Sequence, residues 1–214
     1  MIQAGGAVKI RQICLLLIAT LTLSKLVFAQ TRLPEIPIDQ YTAEQKQAAQ
    51  DFEAARKKAP WGPFAMLMYS PQLMNNARAM GDYIRYNSAF DSALSEFAIL
   101  ITAREWSQDY EWSVHYPIAI KAGLKPEIAQ SLKEGRRPDS MSEDQSIVYD
   151  FTIELQRNKQ VSDTTFARTE KRFGKKAAVD LAGIAGYYTF LAMEMNMARR
   201  PAPIGNERLP RFPE

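Results

Sequence analysis

The stretch SEFAILITAREWSQDYEWSVHYPIAIKAGLKPEIA, residues 95–129, carries the strongest structural and chemical signal in the chain. Its apolar residues recur at helical spacing, and the two residues Trp106-Ser107 separate two predicted helices, 92–105 and 108–122. The first helix is apolar on most of its sides, and such a helix is buried. Because so short a connection makes consecutive helices neighbours, the stretch predicts the centre of an all-α fold.

Helix signals continue on both sides of this stretch. Residues 42–45 and 142–145 each match a capping box, in which a Ser or Thr and a Gln three residues later satisfy backbone groups. Pro71 and Pro126 suit the first turn of a helix, and Gly174 is typical of a helix end. No alternating strand pattern bounded by hairpin turns occurs. The further helices are predicted at 42–58, 71–87, 126–135, 142–158, 163–173 and 175–199, with a short apolar segment at 64–69.

The first 29 residues have the pattern of a secretory signal. Lys9 and Arg11 precede an apolar run at 13–23, and small residues near Ala29 fit cleavage at that point. The run is shorter than the roughly 20 residues of a membrane-spanning helix. We therefore expect a periplasmic or secreted protein that has no membrane contact after cleavage, with a retained N-terminal anchor as the alternative.

The predicted signal contains three of the basic residues and the only cysteine, Cys14. Without it, 24 basic residues face 24 acidic ones, and no basic cluster predicts a nucleic-acid partner. The mature chain would lack thiols, which excludes thiol chemistry because the thiolate is the nucleophile. We expect one domain at 30–200, followed by a proline-rich tail at 201–214 that is extended or disordered.

His115 is the only histidine in the chain, and it has polar neighbours at helical spacing. Gln108, Glu111 and Trp112 share its helix face, and Glu96 heads an apolar stripe on the preceding helix, where a buried carboxylate would need a partner. Carboxylate plus imidazole is the minimum set for moving a proton. Glu96, Glu111 and His115 are therefore candidate catalytic residues, and Gln108 and Trp112 are candidates for binding substrate.

The same residues admit a structural interpretation. A lone histidine in a buried helix pair is often a hydrogen-bonded core residue, and Glu111 with His115 can form an i,i+4 pair. One histidine and scattered carboxylates indicate no metal site, and no motif indicates a cofactor. A sealed, fully hydrogen-bonded His115 would favour a structural role, whereas a partly apolar pocket that reaches it would favour an enzyme.

The spacing of these residues resembles that of the carboxymuconolactone decarboxylase family, which includes the alkylhydroperoxidase D proteins. The resemblance covers residues 71–138, with weaker similarity around 186–188 and at Asn196. It implies an alkylhydroperoxidase D-like helical bundle of one domain, and such proteins are usually homo-oligomers, often trimers or hexamers. The residues that carry it are Glu96, Glu111-Trp-Ser-Val-His115 and Ala122-Gly123-Leu124.

The peroxidase branch of that family has a glutamate followed by Cys-x-x-Cys-x-x-x-His. Glu96 and His115 match its first and last residues, but the cysteine positions fall on Gln108 and Glu111, which form neither a sulfenic acid nor a disulfide. The resemblance therefore implies the decarboxylase branch, whose reaction loses CO₂ from a lactone acid through an enolate.

By this analogy His115 would be the acid/base, with Glu96 or Glu111 orienting it and Gln108 donating to a carboxylate or enolate oxygen. An exported protein does not fit the usual cytoplasmic role in aromatic degradation. We therefore expect lyase, isomerase or hydrolase chemistry on another small organic acid or lactone. The alternative function is a non-catalytic, small-molecule-binding or structural oligomer of the same fold.

Overall fold

Helices account for all the regular structure in the described part of the chain, residues 31–203 and 208–211 of a computed structural model. The predicted all-α class is confirmed. Within these ranges a 3₁₀ helix at Ile38–Gln40 precedes eight α-helices. The α-helices are α1 Ala43–Arg56, α2 Pro63–Leu67, α3 Pro71–Tyr86, α4 Ser92–Glu105, α5 Asp109–Lys121, α6 Pro126–Lys133, α7 Glu143–Asn158 and α8 Asp163–Ala198.

The helix ends follow the local sequence signals. Both predicted capping boxes form: Thr42 and Gln45 exchange side-chain and backbone hydrogen bonds at the start of α1, and Ser142 and Gln145 do so at α7. The predicted break at Gly174 is confirmed as a kink, where φ 85° and ψ 168° interrupt α8. That backbone region is essentially restricted to glycine, so the two segments of α8 meet at a residue of the type that this conformation requires.

Helix α4 is the centre of the molecule. Ten consecutive residues from Ser95 to Arg104 are buried, and α4 packs against α5, α6, α7 and α8. A helix enclosed in this way cannot leave a polar side chain in water, so Glu96 must find partners inside the protein. The packing therefore fixes where the candidate site lies.

The tail returns to the domain in its described part, residues 208–211. Leu209 is 2% exposed, and its backbone N–H donates to the Asp109 carboxylate at 2.8 Å. Arg211 makes an ion pair with the same carboxylate at 2.6 Å. This segment therefore packs over the start of α5. The predicted signal, 1–29, lies outside the described residues, and within them no helix combines the length and apolarity needed to cross a bilayer.

Candidate active site

Consecutive helices α4 and α5 set the frame of the site. The Gln108 backbone N–H donates to the Ala103 carbonyl at 2.8 Å where the helices are joined, and Glu96 meets His115 further along both of them. Contacts in this order mean that the helices run antiparallel. The burial of α4 thereby turns Glu96 toward the polar face of α5.

The structure brings Glu96, Glu111 and His115 together. His115 Nδ1 lies 2.6 Å from Glu96 Oε2, and His115 Nε2 lies 3.2 Å from Glu111 Oε2. All three residues are almost completely buried, at 3–4% exposure. The imidazole therefore lies between two carboxylates, one from the preceding helix and one from the preceding turn of its own helix.

These two carboxylates determine the charge of the imidazole. Burial alone would lower the pKa of His115, but the hydrogen bonds and negative charges of Glu111 and Glu96 raise it from 6.5 to about 9. At neutral pH the ring is therefore an imidazolium. It can donate a proton without first taking one up, which suits a general acid rather than a general base.

Two side chains from other helices complete the surroundings. The Arg85 guanidinium of α3 lies 3.8 Å from Glu96 Oε1, and the Tyr188 ring of α8 meets the His115 ring edge-on at 5.0 Å between centroids. Burial raises the pKa of the Tyr188 hydroxyl well above its usual range, so that this group stays neutral. The imidazolium and the guanidinium together balance the charges of Glu96 and Glu111.

Two cavities adjoin the cluster. The Glu96 cavity has a volume of about 240 Å³ and is lined by Glu96, while the smaller His115 cavity, about 50 Å³, is lined by His115 and Glu111. Arg85 and Tyr188 line both of them. A cavity reaches His115, which is the feature expected of an enzyme. Both ring nitrogens also contact carboxylates, which is the feature expected of a structural role.

Gln108 and Trp112, the predicted substrate-binding residues, line neither of these two cavities. The Gln108 side chain donates to the Asn196 Oδ1 at 2.8 Å and accepts from the Tyr110 backbone N–H at 2.8 Å, which caps α5. Trp112 is buried and stacks on Tyr116. The described contacts of both residues are thus with the protein itself.

Sequence reasoning missed Glu194 on α8. Burial, and then the charge of Glu111, raise its pKa to about 8, and neither carboxyl oxygen has a hydrogen-bond partner among the described residues. A lone acidic residue inside the apolar segment LAMEMNM was the available signal. Within the described ranges, no group of three or more His, Cys, Asp or Glu side chains is arranged to hold a metal ion.

Arg85 was missed for a different reason. It is one of 27 basic residues in the chain, and it lies in the last turn of α3, where basic residues are ordinary. Only tertiary packing brings it to Glu96, since α3 packs against α8, and α8 packs against α4. No local pattern could have distinguished it.

Comparison with solved structures identifies the fold. Similar structures include the alkylhydroperoxidase AhpD core of an uncharacterized peroxidase-related protein from Ralstonia eutropha JMP134, with a TM-score of 0.65 and 16% identity over 81% of this chain and 93% of that one. An uncharacterized peroxidase-related protein from Silicibacter sp. TM1040 has a TM-score of 0.64 and 12% identity, over 83% and 94% of the two chains.

A third similar structure is a cysteine-to-alanine variant of the debrominase Bmp8 in complex with 2,3,4-tribromopyrrole. Its TM-score is 0.60 at 12% identity, over 82% of this chain and 94% of that one. No family model and no curated protein sequence matches the chain. The predicted alkylhydroperoxidase D-like helical bundle is confirmed.

Proposed function

We propose that the protein is a proton-transfer enzyme of the lyase or isomerase type that acts on a small organic acid or lactone. The observation that carries the proposal is the buried imidazolium of His115 between two carboxylates, beside a cavity of about 240 Å³. Burial strengthens the electrostatic interactions within such a cluster. A perturbed titratable group beside a cavity is a physical indication of an active site.

Cavity size determines which group meets the substrate. The His115 cavity, at about 50 Å³, has room for little more than water, whose share of liquid volume is about 30 Å³. The substrate therefore occupies the Glu96 cavity, where Glu96 exchanges a proton with it. His115, an imidazolium hydrogen-bonded behind Glu96 at 2.6 Å, replaces the proton that Glu96 gives up, and Glu111 holds the imidazolium from the other side.

This arrangement suits reactions that pass through an enolate. When a substrate loses CO₂ or a proton from the carbon beside a carbonyl group, the electron pair of the broken bond spreads onto the carbonyl oxygen and gives an enolate. Return of a proton from the Glu96–His115 pair completes a decarboxylation or an isomerisation. Proton transfer by a positioned side chain typically contributes about 10²–10⁴-fold to the rate.

The solved structures add limited support. The debrominase complex holds 2,3,4-tribromopyrrole, a compound with one small ring, in a protein of similar fold. From this complex we infer only that the substrate of the present protein is of similar size. The thiol route of peroxidases is not proposed, because Gln108 and Glu111 occupy the cysteine positions and the single cysteine is Cys14.

Proton exchange tests the proposal before the natural substrate is known. Small lactones and hydroxy acids would be incubated with the protein in D₂O, and both deuterium incorporation and CO₂ release measured. We expect turnover of at least one compound, reduced about 10²–10⁴-fold in His115→Gln. Arg157→Gln, which removes an exposed ion pair with Glu105, serves as the control. Absence of exchange across the compounds, or undiminished turnover in His115→Gln, contradicts the proposed role.

The second candidate is a non-catalytic binding or structural oligomer of the same fold. The observation that favours it is that His115 is 3% exposed with both ring nitrogens occupied. If this is correct, the wild type shows no turnover, and His115→Gln loses its stability or its assembly. Native mass and thermal unfolding of the variant distinguish the two candidates.

We also propose export, on the pattern of residues 1–29 alone. Cleavage after Ala29 would give a mature protein that begins at Gln30 and is periplasmic or secreted. Intact-mass analysis of exported material tests this, since a mass that includes residues 1–29 contradicts cleavage.

A further inference from the structure

Arg85 has unused hydrogen-bonding capacity beside the candidate site. Its nearest carboxylate oxygen, Glu96 Oε1, is 3.8 Å away, which is too far for a hydrogen bond. On the same helix or facing it, Arg78 and Arg56 donate to Asp82 at 2.7 and 2.8 Å. In the described part of the chain no hydrogen bond to the Arg85 guanidinium is found, so its five donors remain available.

The position of Arg85 directs these donors to a ligand. Its side chain is 28% exposed, and it lines the Glu96 cavity together with Ser92 and Ser95. Guanidinium binds carboxylate through two parallel N–H···O bonds, which fixes orientation as well as position. Hydroxyl groups beside it can donate further hydrogen bonds to the same anion.

The rest of the cavity is apolar. Four isoleucines and the Tyr188 ring complete much of its wall. Its volume, about 240 Å³, is below the roughly 300–1,000 Å³ of pockets for drug-sized ligands. A ligand that matches both the Arg85 guanidinium and this apolar wall has one carboxylate and a small hydrocarbon body. The isoleucines are Ile84, Ile99, Ile118 and Ile184.

We propose that Arg85 binds the substrate carboxylate and that the Glu96 cavity selects small monocarboxylates with a compact apolar body. The inference rests on the proposed function, because it concerns the same site, and it narrows the substrate class from acids and lactones to acids. The added negative charge lies against the guanidinium. Glu96, which lies 3.8 Å from the guanidinium, already shares its charge with the imidazolium through the 2.6 Å bond.

Benzoate and benzamide provide a matched pair of probes, since they have nearly the same shape and differ in charge. Dissociation constants would be measured by calorimetry and compared with thermal shifts for the mature protein. We expect benzoate to bind and raise the melting temperature, and benzamide to bind at least tenfold more weakly. Arg85→Gln should weaken benzoate binding at least tenfold, since it loses a bidentate charged contact.

Arg78→Gln is the control, because it removes a positive charge from α3 but lines neither cavity. It should bind benzoate within twofold of the wild type. Equal binding of the two probes, or unchanged benzoate binding in Arg85→Gln, overturns the inference. If Arg85→Gln fails to fold, magnetic resonance of the wild type tests whether the cavity prefers the charged probe. Benzoate, but not benzamide, should then shift the signals of His115.

The outcomes separate this inference from the proposed function. Binding that depends on Arg85 in a protein without turnover supports the acid site and contradicts the enzyme. Turnover without Arg85-dependent binding contradicts only the role of Arg85.

Discussion

The imidazole of His115 has a carboxylate on each side: secondary structure places one of them, and tertiary packing places the other. Glu111 is one helical turn away, so the helix itself sets that contact. Glu96 is nineteen residues away and reaches the ring only because α4 packs against α5. The Glu111–His115 contact within α5 could form on a protein surface, whereas the Glu96–His115 contact forms only when α4 and α5 pack together and bury the cluster. The raised pKa of His115 therefore depends on folding.

Glu194 offers a test at the same scale. In the folded protein burial and Glu111 raise its pKa to about 8, compared with about 4.3 in unfolded peptides. A carboxyl whose folded pKa is raised adds stability that is fully present below the unfolded value and is lost as the pH rises through 8. Around neutral pH and above, the wild type therefore bears a cost that an uncharged amide avoids.

We expect Glu194→Gln to be more stable than the wild type at pH 8 by about 1–2 kcal/mol, allowing for partial exposure. The two proteins should be about equally stable near pH 4.5. Urea unfolding at several pH values measures the difference. Glu170→Gln, which changes a 39% exposed side chain on the same helix, should leave the pH dependence unchanged. A Glu194→Gln protein with the wild-type pH profile contradicts this account.

At the scale of elements, most of the helices were predictable because their signals are local. Capping residues, proline and apolar periodicity act over a few residues, and they located α1, α7 and the kink in α8. The convergence of Glu96 with His115 was also predictable, because two helices with so short a connection must be neighbours. Arg85 and Glu194 could not be placed, since their positions depend on how α3 packs against α8 and how α8 packs against α4.

The kink at Gly174 provides a test at the scale of elements. Gly174 has φ 85° with open space where a Cβ atom would lie, and Gly186 has the same open space but lies in regular helix. Gly174→Ala should destabilise the protein by about 1–3 kcal/mol through backbone strain alone. Gly186→Ala should instead be neutral or stabilising by up to about 1 kcal/mol. Denaturant unfolding compares them, and equal effects would contradict the kink.

For the whole molecule, the surface of α8 carries apolar side chains that a monomer leaves in water. Val179, Met193 and Met197 are more than half exposed, and we propose that they pack against further copies of the chain in a homo-oligomer such as a trimer or hexamer. Light scattering should give a mass several times that of one mature chain. Met193→Glu combined with Met197→Glu should reduce that mass, whereas Gln47→Glu, at an exposed position of α1, should not. A monomeric wild type would contradict the proposal.

Glu96 and Glu111 hold His115 as an imidazolium, and because His115 is the only histidine in the chain, its charge can be measured directly. Its ring signals in a magnetic resonance titration need no assignment by mutation. We predict a pKa of about 9, lowered in Glu96→Gln and in Glu111→Gln, and below 6.5 in the double variant because only burial then acts. A wild-type His115 that titrates at or below 6.5 would contradict the account.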